Sequence, residues 1–307
     1  MTPDAFTRPR LMVIVLVAFL SVGWGLTWPS MKIALSEFPL WTFRAFSCFA
    51  AGLCLLGIAG LAKGPFMPRS SEWARLTLAA LCNVTGWHIF VSYGVQIVPA
   101  GHAALLAYTM PLWVVMLGIG LLDQPLEVPS IAGVTLGLIG ILTLVLPDLG
   151  SLSHAPVGVG LILLGALSWA IGTLIQKHYG TGLSTLASTG WQLVLGSLPI
   201  ALLAPVMEEV HFPQASDRAW AAAIYITLVG LVLCFFLWFK LVSLTSASNA
   251  SIGALLVPAF GTGCGALFLN EEFGWREVFA FAFIGGAVVL VLAPPVQKSS
   301  PAPVRLK

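Results

Sequence analysis

Few residues of this chain could do chemistry, and most of those stand in apolar surroundings. The stretch "WGLTWPSMK" (24–32) puts Trp24, Pro29 and Lys32 at the end of a run with no other charge back to Arg10. "WAIGTLIQK" (169–177) repeats the Trp-to-Lys spacing with Trp169 and Lys177. Arg44 opens a further apolar run and brackets, with Lys32, the adjoining ends of the first two. Such cations have two readings: they extend along apolar stems toward lipid headgroups, or they attract a carboxylate or phosphate at a cavity mouth. Pro29 bends its run so that Lys32 need not point into lipid.

A second constellation is Thr85, His88, Ser92 and Gln96, spaced i, i+3, i+7, i+11. That spacing keeps all four on one face of a helix. Facing lipid would be costly, so the stripe looks inward. It serves either hydrogen bonding between helices or a wet substrate cavity, and Tyr93, His102, Tyr108 and Trp113 add weight to the cavity. Trp24, Trp87, Trp113, Trp169, Trp191 and Trp238 lie deep in their runs and are cavity candidates, together with Gln192 and Asn249. Trp41, Trp73, Trp220 and Trp275 sit at run ends and fit an interfacial belt. Pro111 and Pro258 occupy equivalent midpoints of two runs. Each removes a donor and frees the carbonyl four residues earlier, Ala107 and Ala254. Such paired interruptions either shape packing or mark a binding site. The five cysteines lie inside apolar runs without CxxC spacing and read as small buried hydrophobes. No metal site or cofactor is expected.

The elements that must hold these residues follow from composition. The 307 residues are 58% hydrophobic and 8% charged, with a mean hydropathy of +0.97. Soluble domains carry about 25% charged residues, so the inventory describes a polytopic membrane protein in contact with the bilayer. A net charge of +2 is too small to suggest nucleic acid. Charge-free intervals at 11–31, 45–62, 128–147, 219–239 and 278–297 each suit one crossing of about 20 residues. The interval 76–122 holds two crossings, and 149–176, 178–207 and 241–270 hold one each, which makes ten. The first run is too long for a secretory h-region and lacks a cleavage site. Ten crossings put both termini on one side. With that side cytoplasmic, basic residues divide ten inside to four outside, as the positive-inside rule requires.

The halves repeat. Trp24–Lys32 aligns with Trp169–Lys177 at an offset of 145, and "PAGHAALLAYTMP" (99–111) with "SASNASIGALLVP" (246–258) at 147. Five crossings per half is an odd number, so the second half inserts upside down. The expected fold is therefore all-α, ten transmembrane helices as two inverted five-helix repeats over 11–147 and 157–295, with a disordered tail at 296–307. Inverted repeats build many secondary transporters.

The sequence resembles the drug/metabolite transporter superfamily, EamA type, across about residues 11 to 295. "WGLTWPSMK", "WTFRAF" (41–46), the proline of "YTMPLW", the glycines of the fifth helix, "SWA" (168–170) and "FLNEEF" (268–273) carry the resemblance. One departure is Gln124, where the family usually has Glu. The resemblance implies alternating-access export of small metabolites, amino acids among them, from a bacterial-type plasma membrane, by a monomer or homodimer. An aromatic cavity with few charges suits a zwitterion with an apolar side chain. A drug or another metabolite as cargo, and uptake rather than efflux, are the alternatives. An intramembrane enzyme has little support, since HExxH and GxSxG are missing and the twelve acids lie near run ends or in loops. No Walker A pattern is present, so ATP does not drive this chain. His88 and His102 are the groups that could carry a proton.

Overall fold

Apolar runs in lipid have one economical solution, since a helix satisfies every backbone N–H and C=O within the segment. The computed structural model describes residues 4–98, 100–122, 128–146, 155–209, 214–258, 260 and 274–292, and these residues are helical with short connections. Six helices are long and apolar enough to cross a membrane: α1 (Leu11–Leu35), α2 (Leu40–Leu61), α3 (Trp73–Ile97), α6 (Pro156–Tyr179), α7 (Thr185–Met207) and α8 (Asp217–Leu244). Four shorter segments complete the set. They are α4 (Ala100–Ala107 continued by Met110–Leu122), α5 (Val128–Val145), α9 (Ala247–Pro258) and α10 (Trp275–Leu292). The order of three long helices and two short ones occurs twice. Gln124, all of "FLNEEF" with Glu271, and the tail lie outside the described residues, as does the side chain of His102.

Packing follows the repeat. Helix α2 lies along its counterpart α7, α5 along its counterpart α10, and α1 meets α8 as α6 meets α3. The α2–α7 seam needs glycine: a Cβ at Gly52 would stand 2.8 Å from the Val194 N and 3.0 Å from the Gly190 O. Close backbone approach of this kind supplies the packing that joins helices in lipid. Gly140 meets the Ala280 carbonyl of α10 in the same way.

Carboxylates tie the connections at each end. Glu37, after α1, accepts hydrogen bonds from the Ser216 N (2.7 Å) and Oγ (2.8 Å) at the start of α8. Glu208, after α7, accepts from the Trp41 N (3.1 Å) and Thr42 N (2.5 Å) at the N-terminus of α2. At the opposite end Glu72, before α3, accepts from the Gly182 N (2.7 Å) and Arg69 N (2.8 Å). There the Pro65 carbonyl takes the Ser184 N–H (2.9 Å) and the Phe66 carbonyl the Trp191 indole (3.0 Å). The Ser216 bonds hold the Glu37 carboxyl below the usual carboxylate range, and the Gly182 and Arg69 amides do the same for Glu72. Apart from the local Arg69–Glu72 bond, each of these ties joins one repeat to the other. Below, the Glu72 end is the N-terminal face and the Glu37 end the opposite face.

Two segments depart from regular helix. Leu81–Gly86 in α3 and Ile226–Leu233 in α8 are π-helical. They begin 145 residues apart, the same offset that relates Trp24 to Trp169. Helix α1 breaks at Leu26, between Asp4–Gly25 and Thr27–Leu35. Pro29 explains the position, because its ring clashes with the carbonyl four residues back, that of Gly25. Pro111 and Pro258 lie just beyond comparable breaks, at Tyr108–Thr109 and Ala254–Leu255. The Ala254 carbonyl is not left free, since it accepts from the Val257 N at 3.0 Å.

Candidate functional site

The two tryptophans that the repeat relates meet at mid-depth. Trp24 of α1 and Trp169 of α6 have ring centroids 5.7 Å apart at 80°. Trp87 lies 5.0 Å and Phe235 5.2 Å from Trp169, both edge-on, and Trp238 packs 5.8 Å from Trp24. Edge-to-face pairs are worth about 0.5–1.5 kcal/mol beyond their buried area, so the cluster is rigid as well as apolar. The Trp24 indole donates to the Gly230 carbonyl at 3.0 Å, inside the π-helical stretch of α8. Tyr225 fixes the same join by donating to the Gly23 carbonyl at 3.0 Å.

Beside the cluster lies a cavity of about 70 Å³. Its wall is Trp24, Thr27, Trp28 and Met31 of α1, Arg44 of α2, Trp87, His88 and Val91 of α3, Tyr108 and Met110 of α4, Trp169 of α6, and Ile226, Gly230, Leu231 and Phe235 of α8. A larger space of about 480 Å³ adjoins it toward the opposite face, lined by residues including Lys32, Ser36, Ser92, Gln96 and Val98. Trp28 and Met31 belong to both walls. The two spaces thus form a vestibule and a central chamber separated by two side chains of α1.

Toward the N-terminal face the bundle is closed by polar contacts. Asn83 donates to Gln192 (2.9 Å), Gln192 to Gln176 (3.1 Å), and Gln176 to Ser188 (3.0 Å), which links α3, α6 and α7. Lys177 donates to the Val242 carbonyl of α8 at 2.9 Å. Thr85 donates across to the Gly196 carbonyl of α7 at 2.6 Å.

The sequence candidates therefore divide. Trp24, His88, Tyr108 and Trp169 line the chamber, whereas Ser92, Gln96 and Lys32 line the vestibule. Trp238 supports the cluster from behind. Thr85 and Gln192 serve contacts between helices, Tyr93 packs on Trp41 at 5.4 Å, and Trp191 bonds a loop carbonyl. Trp113 and Asn249 are half-buried and line neither space. Two expectations need correction. Trp41 is buried against Tyr93, Ile200 and Ala204 rather than facing the interface, because α7 covers that side of α2. Arg44 does not stand at the mouth. It is 4% exposed, its guanidinium donates to the Met31 sulfur, and its Nε has no partner among the described residues. Helix α2 starts directly after Pro39, so residue 44 already lies a full turn deep. Sequence reasoning named Trp24 of α1 but missed Thr27, Trp28 and Met31 on the same helix, and missed Asn83 and Gln176. The signal for the latter was available, since both are amides in apolar runs.

Two repeats around one chamber is the plan of a transport family, and the comparisons agree. The model of the EamA-like transporter family matches residues 11–146 and again 156–293. The chain belongs to the EamA-like transporter family. It is similar to the uncharacterized transporter YoaV of Bacillus subtilis, with 24% identity over 85% of this chain and 90% of that one. YvbV of the same organism, also an uncharacterized transporter, is 26% identical over 92% of each. A chloroplastic WAT1-related protein of Arabidopsis thaliana is 27% identical over 87% of this chain and 65% of its own length. One solved crystal structure, 18% identical, superposes with a TM-score of 0.71 over 94% of this chain and 96% of that one. That likeness concerns the fold alone. As an EamA protein the chain is a multi-pass membrane transporter, and the chamber lies where its two repeats meet.

Proposed function

We propose that this EamA protein exports small metabolites from the cytoplasm by alternating access, with amino acids of apolar or aromatic side chain as the preferred cargo. The observation that carries the reading is the aromatic chamber at mid-depth between the repeats, divided from a vestibule on one face by Trp28 and Met31 and closed by polar contacts toward the other. Aromatic walls bind apolar side chains without demanding one shape, while Arg44 and His88 offer polar contacts at one side. The basic asymmetry of the loops supports cytoplasmic termini, so the vestibule faces outward. Binding then requires the opposite closure, with the Lys177–Val242 contact broken and the Lys32 end drawn together.

Counterflow in proteoliposomes tests this. Vesicles preloaded with unlabelled solute should accumulate the same radiolabelled compound when it belongs to a set of apolar and aromatic amino acids. Nucleosides and cationic drugs should give no accumulation. Flux of none of these classes by folded, correctly inserted protein would sink the transporter reading of the chamber, and flux of drugs alone would replace the cargo.

A further inference from the structure

Everything charged on the path from the vestibule to the chamber is basic. Lys32 is exposed on the vestibule wall, and Arg44 lies inward of it on the chamber wall beside Met31, a residue common to both spaces. No aspartate or glutamate lines either space among the described residues. Arg44 also lacks a carboxylate partner there, its polar contact being the weakly accepting Met31 sulfur. Guanidinium cannot shed its proton in a protein, and removing a charge from water is expensive unless an opposite charge compensates it. Among the described residues, three buried nitrogens of the chamber wall have no hydrogen-bond partner: Arg44 Nε, His88 Nε2 and Trp169 Nε1. Arg44 and Trp169 can only donate, and an imidazole nitrogen can donate as well. The groups awaiting a partner therefore ask for an acceptor, best an anionic one.

We infer that Arg44, with His88 beside it, is a carboxylate subsite, so that the chamber takes solutes bearing a carboxylate and rejects amines and other cations that lack one. The inference rests on the transporter reading and adds a rule of charge to it. Arg44 fixes the anion, the aromatic cluster receives the apolar remainder, and Lys32 lines the path by which the anion leaves toward the vestibule. A zwitterionic amino acid meets both demands, and the positive wall selects against a cationic drug with an equally apolar body.

A matched ligand series on the unmodified protein is the test: L-phenylalanine, 3-phenylpropionate, L-phenylalaninamide and phenethylamine, with binding read from tryptophan fluorescence and thermal shift in nanodiscs. The two carboxylates should bind at least tenfold more tightly than the amide and the amine. Arg44→Gln should erase that preference, weakening the two carboxylates and strengthening the amine, and Arg44→Lys should restore part of it. Equal binding of acids and amines, no response to any of the four, or a preference that survives in Arg44→Gln would each overturn the subsite. Should Arg44→Gln fail to fold, the series on the unmodified protein decides alone. Counterflow of uncharged solutes with no carboxylate preference would leave the transporter reading standing and remove only this inference.

Discussion

Helices α1 and α6 are counterparts by sequence, with the same tryptophan and the same lysine eight residues on, yet they end differently. Helix α1 breaks at Leu26, and its last turns, carrying Lys32, stand against an open vestibule. Helix α6 runs unbroken from Pro156 to Tyr179, and its Lys177 is drawn onto the Val242 carbonyl. Residue 174 is the position equivalent to Pro29, and it is leucine, buried and helical. The difference teaches that one motif can take two shapes in one molecule. At the opposite face it stands against an open space and at the N-terminal face it is sealed, the asymmetry that the proposed alternating access requires. Part of that asymmetry is fixed in the sequence by a single proline.

The harshest way to break the comparison is to make the halves alike. Leu174→Pro should cost about 3 kcal/mol or more, the usual penalty of proline inside a helix, and lower the melting temperature in detergent sharply. A variant as stable as the parent would mean that α6 already tolerates the break seen in α1. Within the chamber, Trp169→Ala should cost about 3–5 kcal/mol because the ring is 3% exposed and fully packed. Trp169→Phe keeps most of that stability and should weaken ligand affinity several-fold, as titration would show. Next, Lys177→Met removes one charged hydrogen bond at a half-exposed site, worth about 1 kcal/mol after solvent screening. In a background lacking the five natural cysteines, a cysteine at Val242 should then label about fivefold faster from the N-terminal face. Lys32→Gln should leave that rate unchanged.

The smallest effect concerns acid. Glu37 and Glu72 have carboxyls held below their ordinary value in the folded protein. Their contribution is fully present above the ordinary carboxylate value and is lost as pH falls through the lowered one. Amide exchange at Ser216 and Gly182 should therefore accelerate relative to the unfolded-chain rate only under strong acidification. Glu37→Gln should lower the protection at Ser216 at neutral pH and leave Gly182 unaffected. An equal change at both amides would mean that the two faces move as one.

Apolar run length was enough to find the helices, because lipid makes hydrophobicity and helical structure nearly the same requirement. The repeat was legible as well, since Trp24 and Trp169 keep their residue type in both halves. Depth was not. Arg44 stands four residues beyond the start of α2, and whether such a residue reaches headgroups or a chamber depends on what α1 lays over it. The stripe from Thr85 to Gln96 was correctly placed on one helix, but one helix face meets several neighbours along its length. Thr85 therefore met α7, His88 the chamber, and Ser92 and Gln96 the vestibule. The π-helical stretches left no trace in composition, because they change hydrogen-bond register without a proline or a run of glycines to announce it.

Those stretches bear on how His88 and Phe235 could ever change direction. In a regular helix, turning one end against the other breaks bonds along the whole ladder. A stretch bonded i to i+5 is a register defect in the ladder, and moving it by one residue would exchange bonds one at a time and turn the residue it crosses by about 100°. Residues 81–86 and 226–233 lie just before His88 and Phe235 respectively. Each repeat thus holds a screw thread immediately upstream of an aromatic ring at the chamber wall, and rotation there needs no melted helix.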